Sequence, residues 1–353
     1  MPVIEQILDL ARWAPSGDNT QPWRFEIAAA DHVIVHGFDT REHCVYDLDG
    51  RSSQLAVGAM LETLRIAATG HGLRVRVARR ADAPESRPLF DVTLEADASV
   101  VPSALIPAIT VRCVQRRAMQ TRPIRPEEKA ELEASLPAGY TAVWLEGGKR
   151  WSMARLLFTS ARIRLTTREA FEVHSKIIRW QAQFSEDGIP DRAIGLDPLM
   201  TRVMEWAMRD WRRVWFLNTF LAGTLMPRLQ LDLLPAMACG AHVLIVAATE
   251  PRGVDDYTKA GAAVQRFWLT ATHLGLQHQP EMTPLIFARY VQDGRAFTQN
   301  RSASRTAAGV AGRLAGIVGD DTLRRGVWLG RLGGGRPARA RSLRMPLQQL
   351  LTS

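Results

Sequence analysis

Lysine is nearly absent from this chain. Of 45 basic residues only Lys129, Lys149, Lys176 and Lys259 are lysine, and the other 41 are arginines spread along all 353 residues. The formal charge of +9 therefore comes without a basic block or tail. No recognised nucleic-acid module accompanies it, so we read the charge as suited to an anionic small ligand such as a phosphate, not to nucleic acid. Cysteine is also scarce. Cys44, Cys113 and Cys239 are far apart, form no CxxC or zinc-type spacing, and are expected to be free thiols in a reducing cytoplasm. His32 and His36 could share a strand face, but no acidic residue stands at ligand spacing, so no metal is expected. No run of ~18 uncharged apolar residues exists; the longest apolar region, 214–234, is broken by Arg228 and Asp232. Glu5 and Asp9 interrupt the first apolar residues, which argues against a signal peptide. The expectation is a cytoplasmic protein with no membrane contact. No Gly-x-Gly-x-x-Gly opens a βαβ unit, which excludes a Rossmann-type nicotinamide domain.

What is present is a globular composition, 46% hydrophobic, with enough chain for a large domain or two ordinary ones. Apolar spacing predicts a helix over 3–13, stopped by Pro15, then strands at 23–28 and 32–36. A long helix follows at 54–70, capped by Asp49 or Ser52, with strands at 73–78 and 89–94. A small, polar connector spans 97–107. Beyond it come a helix at 126–135, a strand at 140–145, and helices at 149–164 and 168–183. One long Trp-rich helix is expected over 199–222, serving as core or as a lid, because tryptophan contributes most when buried. A near-continuous apolar strand at 242–248 precedes a helix at 256–275 and a strand at 285–290. The tail from Arg331 opens with a glycine turn and is basic.

Two segments align without a gap at an offset of 203 residues: Gly58–Leu73 and Gly261–Leu276 agree at six of sixteen positions. Small residues near each helix start permit close helix approach, and Gly72 and Gly275 suit helix ends that lead into strands. We read this as an internal duplication, a covalent dimer whose halves can share one site.

Three further segments carry chemistry. Ala14–Trp23 reads Ala-Pro-Ser-Gly-Asp-Asn-Thr-Gln-Pro-Trp. Its Ser16 and Asn19 offer donors and acceptors suited to the polar edge of a heteroaromatic ring, and Gly17 admits a ligand close to the backbone. Arg112 and Arg116 stand four apart, on one face if helical, as a phosphate clamp. Arg341 and Arg344 flank Ser342 near the C-terminus.

Together these pieces resemble the nitroreductase family of flavin oxidoreductases. Ala14–Trp23 is similar to that family's Pro-Ser-x-x-Asn-x-Gln-Pro-Trp motif, and Arg112-x-x-x-Arg116 to its basic motif, with Val114 where a serine is usual. Thr272–Leu276 followed by Pro280 and Glu281 resembles the stretch that faces the reactive flavin nitrogen, and Arg341 and Arg344 its C-terminal basic residues. Residues 145–235 carry the least resemblance. The Pro-Ser motif and the basic motif each occur once, in opposite halves. That arrangement resembles a single-chain, double-repeat branch similar to mycobacterial proteins of the Acg type.

The resemblance implies an α+β fold of mixed, mainly antiparallel sheets flanked by helices. Two tandem repeats, 1–100 and 101–353, would form an intramolecular pseudo-dimer. It implies one FMN per chain, held by Pro15, Ser16, Gly17, Asn19, Arg112, Arg116, Pro280, Glu281, Arg341 and Arg344, with NADH or NADPH bound transiently. No side-chain acid or base is assigned. The implied activity is reduction of a nitroaromatic, quinone or related small-molecule acceptor. The alternatives are flavin sequestration under a lid built from 199–222, or oxidation of a biosynthetic intermediate. The protein would act as a monomer, with further self-association possible.

Overall fold

The computed structural model describes residues 1–352. Helix α1 (Val3–Ala11) buries the apolar face spaced as Ile4, Ile7, Leu8 and Ala11. Strands β1 (Trp23–Ala29) and β2 (His32–Gly37) follow. Helix α2 (Arg51–Thr69) is capped differently from the sequence expectation. Neither Asp49 nor Ser52 holds the cap position, which belongs to Gly50 at φ 74°. Only glycine takes that left-handed turn without strain. Asp47 supplies the missing acceptors instead, taking the Ser53 N–H at 3.1 Å and the Ser53 hydroxyl at 2.6 Å.

Strands β3 (Leu73–Arg79) and β4 (Leu89–Ala96) complete the first run, and α3 (Ile106–Val111) and α4 (Pro126–Ala134) lead to β5 (Tyr140–Leu145). Helices α5 (Gly148–Thr166) and α6 (Arg168–Ile177) come next. The expected long helix over 199–222 is two, α7 (Pro198–Ala207) and α8 (Trp211–Phe220). The break falls at Asp210, whose carboxylate accepts from the Arg212 N–H and starts a new helix. Nor are their tryptophans core. Trp206 and Trp215 are 44% and 55% exposed, while Trp211 packs on Phe171 at 5.5 Å.

Strand β6 (Ala241–Ala247) is buried at every residue. It precedes α9 (Gly253–His273), β7 (Gln277–Pro280), α10 (Met282–Gln292), α11 (Arg301–Val318), β8 (Gly326–Gly333) and the terminal β9 (Leu351–Thr352). Residues 285–290, expected as a strand, lie inside α10. A short, mainly apolar run that is buried throughout fits either state, and here Leu285–Ala288 and Tyr290 pack in one core with α5, α11 and β8. Helix α11 was not assigned from sequence, although Asn300 caps it by accepting from Ser302 and Ala303 N–H at 3.0 and 3.2 Å. Arg331 is not tail: it lies within β8, buried.

The fold class is α+β, with two large, mainly antiparallel sheets and two parallel two-stranded ones. The first runs β9-β1-β2-β4-β3 and the second β7-β8-β6-β5. Connectivity is the same in both. A strand pair (β1 and β2, or β5 and β6) is followed by a long helix. Two more strands then return so that the later one pairs with the strand before the helix. Within these two large sheets, among the described residues, only β9 pairs in parallel, which ties residues 351–352 to β1.

The long helices α2 and α9 meet through their glycines. A Cβ on Gly58 would lie 2.0 Å from the Thr258 carbonyl oxygen, and one on Gly261 would lie 2.0 Å from that of Leu55. Both pairings keep the offset of 203: residue 55 stands to 258 as 58 stands to 261. The contact is reciprocal, as at a two-fold interface.

Candidate cofactor site

The chain cannot continue α1 past Pro15, and residues 16–21 make an irregular turn. Ser16 is extended, and Asp18, Asn19 and Gln21 all take left-handed backbone at φ 51°, 59° and 52°. Such conformations cost energy outside glycine and persist where surrounding contacts over-determine them. Gln21 supplies much of that constraint. Its side-chain amide donates to the Asn19 and Glu186 carbonyls at 3.2 and 3.0 Å, and its oxygen accepts from the Met345 N–H at 2.9 Å. Asn19 Nδ2 donates to the Glu186 and Leu343 carbonyls at 3.1 and 3.2 Å. The asparagine amide therefore ties loops together, and only its buried Oδ1, which has no partner, is left for a ligand. Ser16 Oγ accepts from the Gln21 N–H at 2.9 Å, leaving its hydroxyl proton to donate. Gly17 lines the cavity and a Cβ there would meet no atom within 4 Å. Gln21→Ala should cost on the order of 2 kcal/mol in urea unfolding, since it strands buried polar groups; an unchanged midpoint would show that the turn holds itself.

The arginines converge on this turn from both sides. Arg112 and Arg116 do not share a helix: α3 ends at Val111, and the next residues are extended, with Val114 bridged to His278. Extended chain also returns every second side chain to one face, so both still line the same cavity. Arg112 Nη2 donates to the Trp13 carbonyl at 2.8 Å, its guanidinium lies 4.5 Å over Trp268, and its Nε has no partner. Arg344 Nε donates to the Ala14 carbonyl at 2.9 Å, and Arg341 Nη2 to that of Thr110 at 2.8 Å. Arg116 makes one side-chain hydrogen bond, to the Ala193 carbonyl at 3.3 Å.

Among the described residues none of these four guanidiniums has an ion-pair partner. Burial lowers Arg112 and Arg116 to about 10. Arg344 falls well below its ordinary value, through burial and then the nearby Arg112, Arg341 and Arg12. Buried, unpaired cations are costly, and an anion placed among them would remove that cost.

Pro15, Ser16, Gly17, Asn19, Arg112, Arg116, Pro280, Arg341 and Arg344 all line one cavity of about 320 Å³. Leu55, Ala56 and Ala59 of α2 and Val264 and Trp268 of α9 line it too, so the reciprocal helix pair forms part of its wall. Glu281 does not line it. Its carboxylate is held between His242 Nδ1 at 2.6 Å and Arg331 Nη1 at 2.9 Å, facing an adjoining cavity of about 280 Å³. Its N–H is spent on the Leu329 carbonyl at 2.8 Å. Burial opposes charge on this pair, yet the mutual attraction prevails: His242 rises to about 10, and Glu281, also beside Arg331, is lowered.

Two residues missed from sequence stand between the cavities. Asp18, pushed up to about 6 by burial against the pull of Arg116, lines both. So does Gln279, whose Oε1 has no partner. Asp18 lies inside the recognised motif and could have been named from it; Gln279 carried no signal. Cys44, also in the wall, is pushed up to about 12 by burial and stays a thiol. His32 and His36 bond to Asp91 at 3.0 Å and Glu26 at 2.8 Å. Among the described residues no group of His, Cys, Asp or Glu could hold a metal, and no helix is long and apolar enough to cross a membrane.

The buried histidines set opposite pH limbs. Burial lowers His174 and His278 to about 3. Below pH 6.5, their ordinary value, the unfolded chain takes up two protons that the folded chain refuses, so stability falls with acid. Asp18, protonated in the fold from about pH 6, offsets part of that loss. Above pH 6.5 the folded chain keeps a proton on His242 that the unfolded chain releases, so stability falls again until about pH 10. Each proton difference is worth about 1.4 kcal/mol per pH unit. Urea unfolding should therefore be hardest near pH 6.5, and His242→Gln should flatten the alkaline limb; an unaltered limb would mean that His242 is neutral in the fold.

No protein-family model matches the chain. It is 27% identical over 295 residues to an uncharacterised protein of Mycobacterium tuberculosis strain CDC 1551, a match covering 82% of this chain and 40% of that protein. Two further uncharacterised proteins, from strains CDC 1551 and ATCC 25618 / H37Rv, are each 35% identical over 80 residues, 22% of this chain and 23% of theirs. The matches thus span less than half of these relatives. Among solved structures, a nitroreductase-like family protein from Bacillus cereus aligns with 72% of this chain and 98% of its own. Its TM-score is 0.36 and its identity 12%.

Proposed function

We propose that the chain is an FMN-dependent oxidoreductase of the nitroreductase kind. It would take electrons from NADH or NADPH and pass them to a nitroaromatic, quinone or related acceptor. The observation that carries this reading is the cavity itself. The motif turn at 15–19 and four unpaired guanidiniums line one space, with orphaned polar atoms on Asn19, Arg112 and Gln279. That donor set fits FMN: cations for a phosphate, and a hydroxyl donor with amide acceptors for the polar edge of a ring.

When bound, FMN supplies the hydride and electron chemistry that no side chain here offers. Arg112, Arg341 and Arg344 would hold the phosphate. Ser16 would donate and Asn19 Oδ1 accept at the ring edge, and Arg116 would stabilise negative charge there. The reciprocal contact of α2 and α9 and the matching strand order support a duplicated chain with one such site between its halves.

The test is spectroscopic. Purified protein titrated with FMN should quench its fluorescence at one equivalent, and anaerobic NADH or NADPH should then bleach the visible band. A flavin that binds but stays oxidised turns the reading to sequestration. A protein that cannot be loaded sinks both.

A further inference from the structure

The second cavity, about 280 Å³, shares eight lining residues with the first, Asp18, Arg116, Arg164 and Gln279 among them, and its far wall has a different chemistry. Helix α7 presents Met200, Val203, Met204, Ala207 and Met208 to it. That is the i, i+3, i+4, i+7, i+8 face of one helix. Val214 and Leu217 of α8 continue the wall, and four isoleucines close its sides. Among the described residues lining it none is Phe, Tyr or Trp. Of the aromatic side chains of the same two helices, Trp206, Trp215, Phe216 and Phe220 are exposed and Trp211 packs on Phe171. These helices are thus apolar on both sides, with flexible aliphatic and thioether groups turned inward and rings turned outward. Methionine and aliphatic side chains adapt to a flexible chain and offer no stacking platform for a planar body. The apolar wall of this cavity forfeits contacts until something fills it.

The end shared with the first cavity is polar. Arg116, with one long hydrogen bond, has N–H donors to spare. Arg164 pairs with Asp232, both half-buried, and Arg331 pairs with Glu281 at 2.9 Å, although its Nε has no partner. Among the described residues Arg116 is therefore the guanidinium lining this cavity that has no ion-pair partner, and its free N–H groups can meet a ligand.

We infer that this cavity is a chamber for the aliphatic chain of an amphipathic ligand, whose carbonyl or carboxylate head meets Arg116. Calling that ligand the substrate rests on the flavin reading; the chamber itself does not.

Isothermal titration of the purified protein with decanoate, decan-2-one, butanoate and butan-2-one tests this. Each methylene buried should add roughly fourfold in affinity, so a decyl compound should bind at least 100-fold tighter than its butyl counterpart. The tighter of decanoate and decan-2-one identifies the head group. Met204→Trp fills the chamber from α7 and Leu217→Trp fills it from α8. Each should weaken decyl binding at least tenfold while FMN quenching persists. Equal affinity for butyl and decyl compounds, binding by neither, or unchanged decyl binding in a folded variant overturns the chamber. Decyl binding without FMN binding would uphold it and sink the flavin reading; the converse would do the reverse.

Discussion

Replacing Arg112 and Arg344 together by alanine should weaken FMN binding by at least a hundredfold. Each side chain offers a charge-assisted contact worth about 1.5–3 kcal/mol, and about 1.4 kcal/mol is tenfold in affinity. The two lie close enough to repel one another, so their effects need not add, and the double variant is the decisive one. The apoprotein should lose little stability, because the substitution also removes two buried, unpaired cations. Flavin fluorescence quenching and urea unfolding on the same samples separate the two effects. Unchanged FMN affinity would remove the arginine cluster from the site.

Gly58→Ala and Gly261→Ala should each destabilise the protein by about 3 kcal/mol. Alanine for glycine in a helix ordinarily stabilises by about 0.5–1 kcal/mol. Here the new Cβ would stand 2.0 Å from a backbone oxygen of the opposing helix. Backbone cannot yield as a flexible side chain does, which puts the cost at the upper end of the 1–3 kcal/mol typical of overpacking. Gly312→Ala on α11 is the internal control. A Cβ there meets no atom within 4 Å, and the variant should gain stability. The α2–α9 variants should also perturb FMN affinity, because Ala59 and Val264 are cavity wall. If Gly58→Ala behaves like Gly312→Ala, the helices do not approach as described.

Much of the site was legible because its parts are local. A proline that stops a helix, an asparagine tolerant of left-handed backbone and an arginine pair at even spacing are properties of short strings. The arginine pair was expected on one face if helical, and it shares a face although the chain there is extended, since both conformations put residues i and i+4 on the same side. The strands of the first half read well where burial alternates along them, as in β3 and β4. What failed was ambiguous over short range. Residues 285–290 are apolar except for Arg289, too short a run for period to separate strand from buried helix. At Asp210 a capping carboxylate outweighed a continuous apolar pattern. The tryptophans of α7 and α8 were taken as core or lid from their size, but the smaller side chains of those helices are the ones turned inward.

By itself, then, the sequence determined the motif turn, the arginine supply and the paired glycine helices, because each depends on neighbours within a turn or two. Tertiary structure alone decided which groups are spent and which are free. Glu281 is consumed by His242 and Arg331, residues 39 and 50 positions away, and so leaves the site that its neighbour Pro280 enters. Asn19 gives its amide protons to carbonyls 167 and 324 positions away. Whether a polar group is free for a ligand depends on everything folded against it, and those partners come from across the chain.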